Sequence, residues 1–248
     1  MYDPVEKAAE VAKLVCDGER LKYHRFRAAR FYGGIATADC LGCCLGCVFC
    51  WAWRQVAHPE NHGRFYEPAE VADRLIAIAR RKGYTQVRIS GNEPTICRAH
   101  LLKVIELIPG DLRFILETNG ILLGYHPGYA EDLARFPHVH VRVSLKGACE
   151  EEFSRLTGAV PEAFDWQLQA LRNLSRAGAS FHAAVMVSFS SAENSAALRR
   201  RLEEIDRHLA DFEVEELVLY GDTEARLNRA RLTYRTAYDP ANIPPEQV

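Results

Sequence analysis

Four thiols fall within eight residues in Cys43-Cys44-Leu45-Gly46-Cys47-Val48-Phe49-Cys50, and three of them, Cys43, Cys47 and Cys50, stand in a CxxxCxxC spacing. A loop of this kind can wrap three sulfurs around one [4Fe-4S] cluster and leave the fourth iron without a protein ligand. That open iron is a place where a second molecule can bind and react. Other registers use the same loop: Cys44, Cys47 and Cys50 form CxxCxxC, and Cys40 lies close by. Zinc is the competing metal, because intracellular cysteine clusters are often zinc sites. A structural zinc site usually draws on two separated pairs of cysteine or histidine, however, and no second CxxC follows. His58 and His62 make the nearest HxxxH, and Pro59 between them disfavours a helical pair on one face.

Elements able to hold such a loop alternate along the chain, strand-like period with helix-like period, which argues for parallel βα units. Strands are expected at residues 34–39, 86–90, 113–118, 139–146, 182–188 and 216–220. Helices are expected between them. Pro68 opens one, with Val71, Leu75 and Ile78 on one face and Gly83 closing it; Pro161 precedes another, with Phe164, Leu168, Leu171 and Leu174 in a stripe that ends at Gly178. Leu198, Leu202, Ile205 and Leu209 repeat the pattern, and residues 101–108 and 129–136 supply shorter helices. About six units are too few for the eight of a closed barrel, so the expected fold is α/β, a partial (β/α)6 TIM-like barrel. Its expected extent is residues 31–222, with an N-terminal extension over 1–30 and a C-terminal tail over 223–248.

Strand alternation says where polar groups point. Over residues 138–146 the valines 139, 141 and 143 face the helices, while His140, Arg142, Ser144 and Lys146 face the barrel interior, joined by Arg88, Ser90, Glu117 and Asn119 from the two preceding strands. Inward polar groups are costly unless they pair or bind something. Two readings follow: a charged ligand, or an internal Arg88-Glu117-Arg142 network.

Composition bounds the class. The 248 residues, 48% hydrophobic, suit one barrel-sized domain. No apolar run approaches the roughly 20 residues of a membrane span, and Met1-Tyr2-Asp3-Pro4 lacks signal-peptide character, so the expected location is cytoplasmic with no membrane partner. Eight cysteines, most of them crowded around one loop, do not read as a disulfide framework. A net charge of -2 provides no global field toward nucleic acid.

The cysteine spacing, with Phe49 directly before the last thiol, resembles the signature of radical S-adenosylmethionine (SAM) enzymes, and three strand ends extend the resemblance. Ser90-Gly91-Asn92-Glu93-Pro94-Thr95 is similar to the GGEP motif after the second strand, with Asn92 in place of a glycine; Glu117-Thr118-Asn119-Gly120 is similar to the third-strand motif. Ser144-Leu145-Lys146 resembles the fourth-strand motif of glycyl-radical activating enzymes, with serine where an acid is usual. The resemblance covers residues 31–188 and is nearest to pyruvate formate-lyase activating enzyme and its relatives.

It implies one [4Fe-4S] cluster on Cys43, Cys47 and Cys50, leaving Cys40, Cys44, Cys16, Cys97 and Cys149 as small buried hydrophobes. It implies SAM chelating the open iron and splitting, on receipt of one electron, into methionine and a 5'-deoxyadenosyl radical. SAM would be held by Phe49, Gly91, Asn92, Glu93, Pro94, Thr118, Asn119, Ser144 and Lys146, with Lys146 toward its carboxylate. A ferredoxin or flavodoxin-type reductant would supply the electron, and a substrate protein, peptide or small molecule would lose hydrogen, glycyl-radical activation being one specific case.

Two flanking segments interleave bases with aromatics: Lys22-Tyr23-His24-Arg25-Phe26-Arg27, running on to Arg30-Phe31-Tyr32, and the C-terminal Arg226, Arg229, Arg231 and Arg235. Such mixtures can contact nucleic acid, so the rival function is an iron-sulfur or zinc binding module for it. Solvated faces with aromatics tucked into the core are the commoner meaning, and the rival leaves the strand-end motifs unexplained. After Tyr238, Pro240, Pro244 and Pro245 indicate an extended or loose end.

Overall fold

The computed structural model describes residues 1–244, so Pro245 lies outside the described residues. Helix α1 (Pro4–Val15) starts where the Asp3 carboxylate accepts the Val5 N–H at 2.7 Å. A short β1 (Cys16–Asp17) leads into the long β2 (Arg20–Ala29), which pairs antiparallel with β3 (Ile35–Cys40) and with β4 (Arg64–Tyr66). From β3 onward the sheet is parallel, in the order β3, β5 (Gln86–Ser90), β6 (Arg113–Thr118), β7 (Val139–Leu145), β8 (Phe181–Met186) and β9 (Glu213–Glu215). Those six strands are the partial (β/α)6 barrel, and among the described residues no pairing returns from β9 to β3. Residues 20–29, set apart in the sequence as extension, are therefore the antiparallel edge of the same sheet.

Helices α2 (Trp53–Ala57), α3 (Pro68–Lys82), α4 (Arg98–Leu107), α5 (Ile121–Tyr125), α6 (Pro127–Ala134), α7 (Glu150–Thr157), α8 (Phe164–Arg176), α9 (Ala192–Ile205) and α10 (Thr223–Arg229) fill the connections. A capping box between Glu67 and Glu70 opens α3, and Gly83 closes it at φ +67. Val141 and Val143 are wholly buried on the helix side of β7, against the apolar stripes that include Leu75, Leu101 and Leu171. Burying each such side chain contributes about 1.5–3 kcal/mol, which makes the sheet-helix layer the main source of stability. No helix among the described residues is long and apolar enough to cross a membrane.

The expected sixth strand, residues 216–220, is displaced. Glu213–Glu215 closes the parallel series, while β10 (Leu217–Val218) pairs with β11 (Ala237–Tyr238) in a separate two-stranded sheet. Glu-Val-Glu reads poorly as a strand in isolation, and it is held there because cations inside the barrel take both carboxylates. The helix traced through Leu209 stops at Ile205: Asp206 is extended, and Leu209 sits in a following 3-10 turn.

Candidate active site

The cysteine loop is clamped from three sides. Gly42 enters it at φ +94, and a Cβ there would lie 2.8 Å from the Val15 side chain of α1, so only glycine allows this approach. The loop after β5 grips the same residue: Asn92 Oδ1 accepts the Gly42 N–H at 3.0 Å and the Glu93 N–H donates to the Gly42 carbonyl at 2.8 Å. Asn92 thus supplies an acceptor that the glycine usual in the resembling motif could not. On the second side the Gly46 N–H donates to Tyr2 Oη at 2.8 Å, and the Val48 N–H to the Leu156 carbonyl of α7 at 2.9 Å. On the third, Arg226 of α10, 5% exposed, donates to the carbonyls of Val48 and of Cys50, the latter at 2.8 Å, with its guanidinium 5.1 Å over the Trp53 ring.

This clamping turns Cys43, Cys47 and Cys50 toward one cavity of about 750 Å³, whereas Cys40 and Cys44 lie in the core at 1% and 0% exposure. Burial pushes the Cys47 and Cys50 thiols up, Cys50 to about 11. A hydrogen bond from the Cys44 thiol holds Cys43 below the ordinary thiol value against its own burial. Buried thiols of this kind ionise when iron displaces the proton, and the positive charge of Lys146 favours the thiolate at all three. Three soft donors lining one cavity beside a cation are the donor set an iron-sulfur cluster takes, although among the described residues they are not drawn together to metal-holding distance.

Strand ends line the other wall of the cavity. Phe49, Gly91, Asn92, Glu93, Thr118, Asn119, Ser144 and Lys146 all reach it; Pro94 is buried behind, starting the turn Pro94–Ile96. Glu93, 1% exposed, joins two strand ends: its carboxylate accepts Thr95 Oγ1 at 2.5 Å, Thr118 Oγ1 at 2.7 Å and the Asn119 N–H at 2.7 Å. Burial nevertheless leaves that carboxyl raised above its usual range.

Gln167, wholly buried on α8, does the same for the next pair. Its amide nitrogen donates to the Asn119 and Ser144 carbonyls, and its oxygen accepts the Lys146 N–H at 3.1 Å. The acid missing at position 144 arrives from across the sheet, since Ser144 Oγ donates to Glu215 Oε2 at 2.6 Å and Lys146 Nζ lies 3.7 Å from the same oxygen. Burial alone would raise the Glu215 carboxyl, but Arg142 and Lys146 hold it down at about 2.

Below these groups the barrel floor is a set of ion pairs. Arg88 meets Glu117 at 2.5 Å, with Ser90 Oγ donating to Glu117 at 2.6 Å. The expected network through Arg88, Glu117 and Arg142 is only half present as direct pairs: Arg142 takes Glu213 at 2.6 Å and Glu215 at 2.8 Å instead. His182 donates to or accepts from its neighbours in a chain His140, His182, Glu213, with burial and then His182 pushing His140 down to about 4.

The basic aromatic segment sorts onto two faces of β2. A register shift between Tyr23 and Arg25 puts Tyr23 and Phe26 together against Tyr66, while Arg25 and Arg27 both face the cavity and share Asp39. Tyr2, Asp39, Gln167, Glu215 and Arg226 are the site residues missed in the sequence; the alternation Glu213-Val214-Glu215 was the one local signal, marking two carboxylates on one face.

Residues 40–194 match the profile of the radical SAM superfamily. A probable GTP 3',8-cyclase of Pyrococcus abyssi is 29% identical over 141 residues, 56% of this chain and 42% of that protein. The GTP 3',8-cyclase of Heliobacterium modesticaldum is 32% identical over 117 residues, 46% of this chain and 34% of its own length. The chain thus spans less than half the length of these curated relatives. Among solved structures, Streptococcus suis SuiB bound to precursor peptide SuiA superposes with TM-score 0.57 at 18% identity, covering 79% of this chain and 46% of that one. A spore photoproduct lyase mutant gives 0.55 at 15%, covering 83% and 63%, and both likenesses concern the fold. The family profile covers well over half of the chain and begins at the strand end that carries the cysteine loop; this chain belongs to the radical SAM superfamily, whose members use a [4Fe-4S] cluster and SAM.

Proposed function

We propose that the chain holds its cluster through Cys43, Cys47 and Cys50, cleaves SAM reductively, and removes hydrogen from a substrate seated in the interior of the barrel. One observation carries this: three thiols of the CxxxCxxC loop and the ends of three consecutive strands line the same cavity. When bound, the cluster supplies one electron to SAM, which parts into methionine and a 5'-deoxyadenosyl radical.

The residues of the chain then have separable tasks. Asn92 and Arg226 fix the loop, Glu93 and Gln167 fix the strand ends, and Lys146 offers its ammonium to the SAM carboxylate. The ion pairs of the floor keep charged side chains compensated, so the interior stays polar without collapsing. The cavity of about 750 Å³ has to take the cluster and SAM as well as the substrate, and a small metabolite is the substrate class we favour. The relatives named as GTP 3',8-cyclases favour the same class, and glycyl-radical activation has no comparable support.

The test is anaerobic chromatography of reconstituted, dithionite-reduced protein with SAM and no substrate. Wild type should release 5'-deoxyadenosine and methionine slowly, and Cys50→Ala should not. Equal release from both, with the wild-type cluster intact and reduced, would sink the reading.

A further inference from the structure

Charge within the cavity is not evenly matched. Arg88 is balanced by Glu117, and Arg142 and Lys146 by Glu213 and Glu215. At the β2 edge two guanidiniums share one carboxylate. Arg27 binds Asp39 through two nitrogens, at 2.9 and 3.1 Å, which satisfies both oxygens of a carboxylate that is only 3% exposed. Arg25 adds a single bond through Nε at 2.6 Å, and its side chain remains 48% exposed. Burial would raise Asp39, but the two arginines hold it below its usual range, so it stays charged and their joint excess is one positive charge. Glu93 and Glu216 also line the cavity and accept from neutral donors, so the positive excess belongs to the β2 edge around Arg25 and not to the cavity as a whole.

Around this excess charge the rim is aromatic. Trp51, Tyr32 and Tyr220 are 45%, 37% and 36% exposed, and all three line the cavity. The Arg25 guanidinium lies 5.9 Å from the Trp51 ring. Tyr32 is held at φ +55, in the left-handed region that a bulky residue rarely adopts, with its hydroxyl donating to Glu117 at 3.1 Å. The β-bulge that aims Arg25 inward is a second local departure at the same edge.

We propose that Arg25 anchors an oxyanion, a carboxylate or a phosphate, of a substrate whose flat ring packs on the aromatic rim at Trp51 and Tyr32. This assignment rests on the proposed function, in which the cavity holds the substrate beside SAM. A planar, half-exposed guanidinium that bonds Asp39 through Nε matches the two oxygens of such a group with its terminal nitrogens, and exposed aromatic faces suit a ring.

The experiment uses the anaerobically reconstituted, SAM-loaded holoprotein in calorimetry. GMP and indole-3-acetate serve as ring probes with a phosphate and a carboxylate; guanosine and inorganic phosphate carry the ring or the oxyanion alone. One of the two ring probes should bind in the range below about 1 mM, more tightly than guanosine or phosphate. Arg25→Gln should weaken it roughly ten- to a hundredfold, and Arg25→Lys should recover part of the loss. Arg27 continues to pair Asp39 in these variants, and an unchanged cluster absorbance verifies their fold. Arg80→Gln, on the outer surface against Asp111, should bind as wild type does. Failure of both ring probes to saturate below about 10 mM, or equal affinity in Arg25→Gln, overturns the inference while SAM binding stands. Loss of SAM binding by wild type overturns both this inference and the reading beneath it.

Discussion

Arg226 is the clearest place to test whether the cluster loop is held from outside the matched family region. Its guanidinium, 5% exposed, donates to the Val48 and Cys50 carbonyls, to Thr223 Oγ1 at 2.9 Å and to Asp222 at 3.1 Å. Truncation in Arg226→Ala leaves two loop carbonyls without their donor, at about 1–3 kcal/mol each. It also removes the contact with Trp53, worth about 1 kcal/mol. Asp222 is 47% exposed on its side chain and can return to water, so it adds little.

The expected loss is therefore about 3–7 kcal/mol, which at typical slopes lowers the urea midpoint by about 1 M or more. The same variant should take up less iron on reconstitution, because the guanidinium both fixes the Cys50 backbone and favours its thiolate. Arg226→Lys keeps the charge without the fork and should fall between. A loss under about 1 kcal/mol together with full iron content would refute the argument.

Cys43→Ala, Cys47→Ala and Cys50→Ala should each abolish the absorbance at roughly 400 nm of reconstituted protein, and Cys40→Ala, Cys44→Ala and Cys149→Ala should keep it; full iron in Cys43→Ala with loss in Cys44→Ala would move the register by one. Lys146→Ala should raise the SAM dissociation constant roughly ten- to a hundredfold in calorimetry with the cluster retained, and unchanged affinity excludes the proposed carboxylate contact. Glu215 drops from an ordinary 4.5 to about 2 on folding, so its contribution is complete above pH 4.5 and is lost as pH falls toward 2. The loss amounts to about 3 kcal/mol, and Glu215→Gln should flatten the urea midpoint against pH over that window; an unchanged slope would show that Arg142 and Lys146 do not hold this carboxylate.

The cysteine loop, the strand-end motifs and the inward face of β7 were legible in the sequence because each is local: a spacing, a turn chemistry, an alternation of period two. Four of the six barrel strands fall within a residue of their expected bounds for the same reason, since β5, β6, β7 and β3 carry strong apolar alternation or runs. What lay beyond reach depended on partners distant in the chain. Glu213-Val214-Glu215 became the last parallel strand because Arg142, 71 positions earlier, binds its carboxylates, and the more apolar Leu217–Val218 was drawn to Ala237–Tyr238 instead. Arg226 read as one of several surface bases, and only packing of α10 beneath the loop made it a clamp, 176 residues from the carbonyl it holds. A residue's type and spacing state which bonds it is able to make; which of them it makes in this chain was decided by tertiary burial, because removing a charge from water forces it onto whatever partner the fold brings within reach.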